Sequence, residues 1–270
     1  MTTIAIPSMN ANTALPSSPS ADGGGLTRTC RQTSTAPTIA AIHSICAQRR
    51  TALSCRIKLV NSLYAHARLM LGVNHTMTED ERKAMSKRAK EMVDAIIEGE
   101  PVSESSEINA AVRPNVVACL PAIVNQNELV DRLDDELEAL AEKLPAAEWV
   151  SSVRGFGLKS FALIIGETGD LSNYANPAKV WKRMRMSVEV DKESGKARRE
   201  VGGRRRSIVW IAGDCLVKQN RGEYRALYDA RKEYESGRVE TKMHAHRRAQ
   251  RYMEKRLLRD LWRAWRDATS

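Results

Sequence analysis

Residues 153–165 read Val-Arg-Gly-Phe-Gly-Leu-Lys-Ser-Phe-Ala-Leu-Ile-Ile, two glycines followed by the start of an apolar helix. Glycine permits the tight turn that this spacing needs and lets a ligand approach the backbone closely. The free amides of Leu158 and Lys159 at the helix N-terminus can bind an anion such as phosphate. The pattern predicts a helix-hairpin-helix-like motif that contacts a nucleic-acid backbone at Gly155, Gly157 and Lys159. Two glycines that only turn between packed helices are the alternative.

The chain around this motif is predicted to be mainly α-helical and to have three parts. Residues 1–37 are rich in Ser, Thr, Ala, Pro and Gly and predict a disordered tail. Residues 38–148 predict a helical hairpin region, and residues 149–270 a basic helical domain. Helical periodicity and end signals place the helices. They are expected over 38–71, 78–98, 114–144, 177–186, 222–236 and 239–267, and 207–218 is a further apolar segment.

A narrow leucine stripe marks the 114–144 helix as a coiled-coil-like segment. The stripe advances in steps of three and four residues, as a heptad seam does. It extends over only about two heptads, so pairing with the 38–71 helix in an intramolecular hairpin is favoured over a free dimeric rod. The stripe consists of Leu129, Leu133, Leu137, Leu140 and Leu144.

Positive charge is concentrated in the second half of the chain. The 270 residues carry 43 Lys and Arg against 33 Asp and Glu, a net charge of +10. Residues 1–150 have a net charge of −3 and residues 151–270 a net charge of +13. A regional surplus of this size indicates a polyanionic partner, which we expect to be nucleic acid.

A small irregular or β-hairpin insertion over 187–206 carries much of this charge. Arginine and lysine side chains around two glycines can hold phosphate groups, although a solvated loop has the same composition. The predicted DNA-binding residues of this segment are Lys196, Arg198, Arg199, Arg204, Arg205 and Arg206.

The terminal helix over 239–267 is amphipathic, with Trp262 and Trp265 on an apolar face and arginines on the other. We expect the tryptophans to pack against the body of the protein and the basic face to lie along a phosphate backbone. An amphipathic helix on an anionic membrane surface is the competing interpretation.

The lengths of the apolar runs and the spacing of the cysteines exclude several classes of protein. The best apolar run, Phe161–Ile165, is far shorter than the roughly 20 residues of a membrane helix, so no membrane partner is expected. Five scattered cysteines form no CxxC pair, which argues against zinc and disulfides and favours a reducing cytoplasm. No metal site and no cofactor are expected in this chain.

The order of these segments resembles the C-terminal part of the insertion-sequence transposases named after elements 110, 116 and 902. The similarity begins near Arg49-Arg50 and includes the glycine turn at 154–157. It continues through Gly166-Glu167-Thr168-Gly169-Asp170-Leu171 and the Ser194-Gly195 turn with its basic residues. It covers about residues 45–225 and is strongest over 151–200.

The resemblance implies a bacterial or phage-encoded protein that acts in DNA transposition. Members of that family combine a RuvC-like nuclease domain with a domain that carries a nucleophilic serine, and some use a guide RNA. The serine carried over is Ser194, with Ser207 as a weaker alternative. The partners implied are DNA, a guide RNA, a separate RuvC-like nuclease subunit and further copies of this chain in a homo-oligomer.

The carboxylates of a RuvC-like site are missing from the expected place, because Asp22 is the only acidic residue before Glu79. Such a site needs several convergent carboxylates to hold divalent cations. The chain therefore resembles the C-terminal half alone: a remnant, a binding module or half of a split enzyme. The alternative function is a non-catalytic helix-hairpin-helix nucleic-acid-binding accessory protein of a phage or mobile element, with RNA as another possible target.

Overall fold

The structure, a computed structural model, describes residues 35–102, 106–187, 189–190, 197–198 and 203–270. These residues confirm a mainly α-helical fold. Over them the chain forms nine α-helices, one short 3-10 helix and two two-residue strands. The helices are α1 Ala36–Met70, α2 Glu79–Glu98, α3 Ser106–Ala141, α4 Ala147–Ser152, α5 Leu158–Thr168, α6 Pro177–Arg183, α7 Arg204–Lys218, α8 Glu223–Ser236 and α9 Lys242–Thr269; the 3-10 helix is Leu171–Asn173.

The ends of α2 follow the local sequence. The Thr78 hydroxyl accepts a hydrogen bond from the Glu81 amide, and the Glu81 carboxylate accepts one from the Thr78 amide. This reciprocal capping box satisfies two donors that the first turn leaves free. At the other end Gly99 adopts φ +78°, a left-handed conformation that suits glycine. The predicted helix over 78–98 is confirmed.

Helix α3 begins earlier than predicted, at Ser106 rather than at residue 114, and both Pro114 and Pro121 lie inside it. Each proline removes one hydrogen bond to the carbonyl four residues before it. Both prolines lie on the exposed side of α3, where water can solvate the freed carbonyls. The buried side carries Val112 and Val116, whose packing holds the helix together through the prolines.

Helices α1 and α3 run antiparallel along each other and connect two apolar cores. Arg49 bonds to Asp134 and Arg56 to Asn127, which fixes the register of the pair. The first core lies between the C-terminal half of α1, α2 and the N-terminal half of α3. It contains Leu63, Ala67, Leu71, Ala89, Met92, Val93, Ile96, Val112, Val116 and Ile123.

The second core joins the other halves of α1 and α3 to helices α4–α9. From the leucine stripe, Leu133, Leu137 and Leu144 are buried in it. The indole of Trp265 is fully buried edge-on against Phe161, with ring centroids 6.2 Å apart, and donates a hydrogen bond to Asp170. Trp262 donates to the carbonyl of Tyr174 at 2.9 Å. The predicted packing of these two tryptophans against the body of the protein is therefore confirmed.

Two short strands lie in the insertion between α6 and α7. Strand β1, Glu189–Val190, pairs antiparallel with β2, Ala197–Arg198, with Glu189 opposite Arg198 and Val190 opposite Ala197. After the insertion the chain enters α7, whose first turn carries three arginines.

Candidate nucleic-acid interface

The glycine turn joins α4 to α5. Gly155 has φ +88°, a left-handed conformation, and Gly157 is the N-cap residue of α5. Between them Phe156 is buried and lies edge-on to Trp149 at a centroid distance of 6.2 Å. The sequence folds in this way because glycine accepts the positive φ while Phe156 anchors the turn in the core.

The two glycines have different surroundings. A β-carbon on Gly155 would lie 2.4 Å from Cγ of Gln219 and 3.5 Å from the carbonyl oxygen of Cys215, so the close approach at this position is to the end of α7. A β-carbon on Gly157 would meet no atom within 4 Å among the described residues. The backbone that is open to a ligand is therefore at Gly157, ahead of the amides of Leu158 and Lys159.

This difference predicts unequal effects of alanine at the two positions. Gly155→Ala should lower the free energy of unfolding by about 2–3 kcal/mol, because the side chain must enter a left-handed conformation and displace Gln219. Gly157→Ala should cost less than about 1 kcal/mol, since its backbone is extended and the space is open. Urea denaturation of both variants measures this, and equal losses would contradict the packing of Gly155 against α7.

Lys159 is part of an ion-pair network at the N-terminal end of α5. Its Nζ lies 3.3 Å from Oδ2 of Asp134, a largely buried carboxylate on α3. The guanidinium of Arg49 binds both oxygens of Asp134, with Nη2 at 3.2 Å from Oδ2. One carboxylate thus positions two cations, from α1 and from α5, at the protein surface.

A second carboxylate does the same at the C-terminal end of α5. Glu167 is 5% exposed, and its oxygens accept hydrogen bonds from Arg204 and, at 3.0 Å, from Nε of Arg205. Its backbone carbonyl accepts a bond of 2.8 Å from Nε of Arg183. Three guanidinium groups from α6 and α7 therefore converge on one residue of α5.

The two networks meet over α1, where Gly166 lets α5 pack closely against Cys46. A β-carbon on Gly166 would lie 2.5 Å from Sγ of Cys46. Burial raises the pKa of the Cys46 thiol to about 11, and Glu167 adds to the rise, while Arg49, Arg204 and Arg50 oppose it. Charged groups of both networks therefore act on the same thiol, that of Cys46 on α1.

We call this surface the basic face. Its six cations surround two largely buried carboxylates, Asp134 and Glu167, which leaves a surplus of four positive charges. The guanidinium of Arg50 is exposed and has no hydrogen bond or ion pair to any described residue. The cations of the basic face are Arg49, Arg50, Lys159, Arg183, Arg204 and Arg205.

Arg206 lies apart from its two neighbours. Its charge acts on Glu254 of α9, a carboxyl that is 4% exposed. A β-carbon on Gly213 would lie 2.6 Å from Oε1 of Glu254, and this oxygen has no hydrogen-bond partner within the described residues. Burial raises the pKa of Glu254 to about 8, while Arg206 and a hydrogen bond from Gln250 partly oppose the rise.

The remaining predicted residues lie in the insertion. Ser194, Lys196 and Arg199 are outside the described residues, and of Arg198 only its place in β2 is described. Ser207, the alternative serine, is exposed on α7, one turn after Gly203.

The sequence alone does not connect several members of the basic face with one another. Arg49 and Arg50 were visible as a basic pair, but nothing local connects them with α5. In the sequence Asp134 and Glu167 do not differ from other acidic residues of a helix, because their arginine partners are 85 and 37 residues away. The one available signal for Glu167 is its isolation in an apolar helix, where a carboxylate needs a cationic partner.

Comparison of the chain with protein-family models, with curated proteins and with solved structures found no match. Among the described residues, no helix is long and apolar enough to cross a lipid bilayer. Within the same part of the chain, no group of three His, Cys, Asp or Glu side chains is arranged to hold a metal ion.

Proposed function

We propose that this chain is a DNA-binding protein that contacts the phosphate backbone through the basic face. The observation that carries the proposal is the convergence of six cations from α1, α5, α6 and α7 around two largely buried carboxylates. Such carboxylates hold the guanidinium groups in place, and the N–H groups that remain can donate to phosphate oxygens.

The surplus charge favours binding over a merely structural role. A network that only stabilised the fold would need no more cations than its carboxylates can pair. Here four positive charges remain uncompensated, and four of the six cations belong to the half of the chain with a net charge of +13. A polyanion restores the balance and releases its condensed counterions on binding.

The open N-terminus of α5 supports phosphate binding at the basic face. Lys159 is half-exposed beside Gly157, and the first amides of α5 point out of the helix without intrahelical partners. Backbone amides at this place add a contact that does not depend on base sequence. We therefore expect binding with little sequence preference from the basic face alone.

Replacing Arg50 tests this proposal with little risk to folding. Arg50→Glu should lower the affinity for a 20-base-pair DNA duplex about tenfold at 100 mM salt, because a phosphate contact becomes a repulsion. Arg113→Glu, on the exposed side of the distant N-terminal half of α3, is the matched control and should change affinity less than twofold. Fluorescence anisotropy with labelled duplex measures both, and equal affinities of the two variants would contradict the proposal.

The resemblance to serine-using transposases extends the proposal to DNA transposition. In that interpretation the Ser194 oxygen bonds to phosphorus, and the sugar oxygen leaves and takes up the proton that the serine hydroxyl gives up, within the field of Lys196, Arg198 and Arg199. A separate RuvC-like subunit would supply the nuclease carboxylates. The chain would then act with that subunit, with DNA and with a guide RNA, as a homo-oligomer in a bacterial or phage-infected cytoplasm.

The second candidate, a non-catalytic accessory protein of a phage or mobile element, uses the same basic face. It is favoured by the shortage of acidic residues before Glu79. A neighbouring reading frame that encodes a carboxylate-rich RuvC-like domain distinguishes the split enzyme from this accessory protein.

A further inference from the structure

Trp210 and Ile211 form an exposed apolar pair on α7. Their side chains are 51% and 52% exposed, although α7 buries Val209, Ala212 and Leu216 on its other side. A large indole on the surface loses the stabilisation that its burial would give. Its exposure therefore calls for an explanation beyond the packing of this chain.

The other four tryptophans have partners within the fold. Trp265 and Trp262 donate hydrogen bonds to Asp170 and to the carbonyl of Tyr174, and Trp181 donates to the carbonyl of Lys255 at 3.0 Å. Trp149 contacts Phe156. For Trp210, the described residues supply neither an acceptor for its indole N–H nor an aromatic or cationic group on its ring. Among the described residues, neither the indole N–H nor the ring face of Trp210 therefore has a partner.

The charged residues around Trp210 indicate what kind of partner it contacts. Arg206 precedes it by four residues and lies beside it on the helix surface. Arg204, a member of the basic face, is about 9 Å away along the axis of α7. On the C-terminal side of Trp210, the Asp214 carboxylate of α7 is neutralised by Lys218, whose Nζ lies 2.7 Å from Oδ2. An apolar protein partner gains nothing from these arginines, whereas a nucleic acid offers phosphates to them and a base to the indole.

We propose that Trp210 stacks on an unpaired base of the nucleic acid whose backbone the basic face binds. This inference rests on the proposed function and adds a preference for single-stranded or opened segments. In a duplex both faces of a base are already stacked, so a protruding indole has no free face to contact. An unpaired base has such a face, and stacking of this kind depends little on the base sequence.

The test compares Trp210→Ala and Trp210→Phe with the unmodified chain on a labelled oligo-dT 20-mer and on a duplex of equal length. Stacking on one base predicts that Trp210→Ala loses about 5- to 100-fold in affinity for oligo-dT. The affinity for duplex should change less than twofold, and Trp210→Phe should retain most of the single-strand affinity. Val117→Ala, which trims another half-exposed apolar side chain on distant α3, is the control and should leave both affinities unchanged.

Intrinsic fluorescence gives an independent readout. Oligo-dT should quench part of the tryptophan emission of the unmodified chain, and the quenching should disappear in Trp210→Phe. Equal losses on both nucleic acids, or no loss on oligo-dT, would overturn the inference and leave the proposed function intact. A shift of Trp210 emission with protein concentration in the absence of oligonucleotide would overturn it in favour of a second copy of the chain. Binding of neither nucleic acid by the unmodified chain would overturn the proposed function and this inference together.

Discussion

Replacing Glu254 by Gln is expected to raise the free energy of unfolding by about 4–5 kcal/mol at pH 9 and by only about 1 kcal/mol at pH 5. Glu254 is buried under the backbone of α7 at Gly213, and the pKa of its carboxyl is raised to about 8 by that burial. In the unfolded chain the same carboxyl has its ordinary pKa near 4.5. The folded protein therefore holds this proton over a pH range in which the unfolded chain has released it.

The sign of the pH dependence follows from this difference. Below about pH 4.5 both states are protonated, and Glu254 adds no pH dependence. Between about pH 4.5 and 8 the unfolded chain ionises and gains stability relative to the folded chain, so the free energy of unfolding falls. Above about pH 8 both states are ionised and the loss is complete. A glutamine has the same shape, cannot ionise and removes this loss.

Urea denaturation of the unmodified chain and of Glu254→Gln between pH 5 and 9 measures the effect. The difference between the two curves isolates Glu254, since every other titrating group is common to both. Glu142→Gln, which neutralises an exposed carboxyl, is the control and should follow the unmodified chain within about 0.5 kcal/mol. Parallel curves for Glu254→Gln and the unmodified chain would show that the carboxyl is not buried as described.

The helices could be predicted where local signals determine their ends. Thr78 and Glu81 form a capping box within four residues, so the start of α2 is encoded in the sequence itself. The start of α3 was predicted wrongly because Pro114 normally marks a helix start. Tertiary packing of the buried Val112 extends the helix ahead of Pro114, and packing of Val116 holds it after the proline. A single sequence does not reveal which face will be buried.

The candidate site could be predicted only in part, because its ion pairs are non-local. The basic run at 204–206 was visible, yet Arg204 and Arg205 bind Glu167, whereas the charge of Arg206 acts on Glu254 without a direct ion pair. This division depends on how α7 lies between α5 and α9. Similarly, residues 207–218 stood out only as an apolar segment, and the fold shows that they belong to a helix with Trp210 on its outer side.

The affinity for DNA is expected to fall about 100- to 2,000-fold between 50 and 200 mM salt. Each phosphate that a Lys or Arg neutralises releases condensed counterion and contributes about 0.9 to the slope of log affinity against log salt concentration. The four surplus charges of the basic face, with up to two further contacts, predict a slope between about −3.5 and −5.5. Arg50 has no described partner to compensate it, so it should contribute one full contact.

The most direct test of phosphate binding by the basic face is this slope, measured by anisotropy on one duplex for the unmodified chain, Arg50→Ala and Arg113→Ala. We expect Arg50→Ala to reduce the magnitude of the slope by about 1 and Arg113→Ala to leave it unchanged. A flat salt dependence of the unmodified chain, or the same slope in Arg50→Ala, would contradict phosphate binding by the basic face.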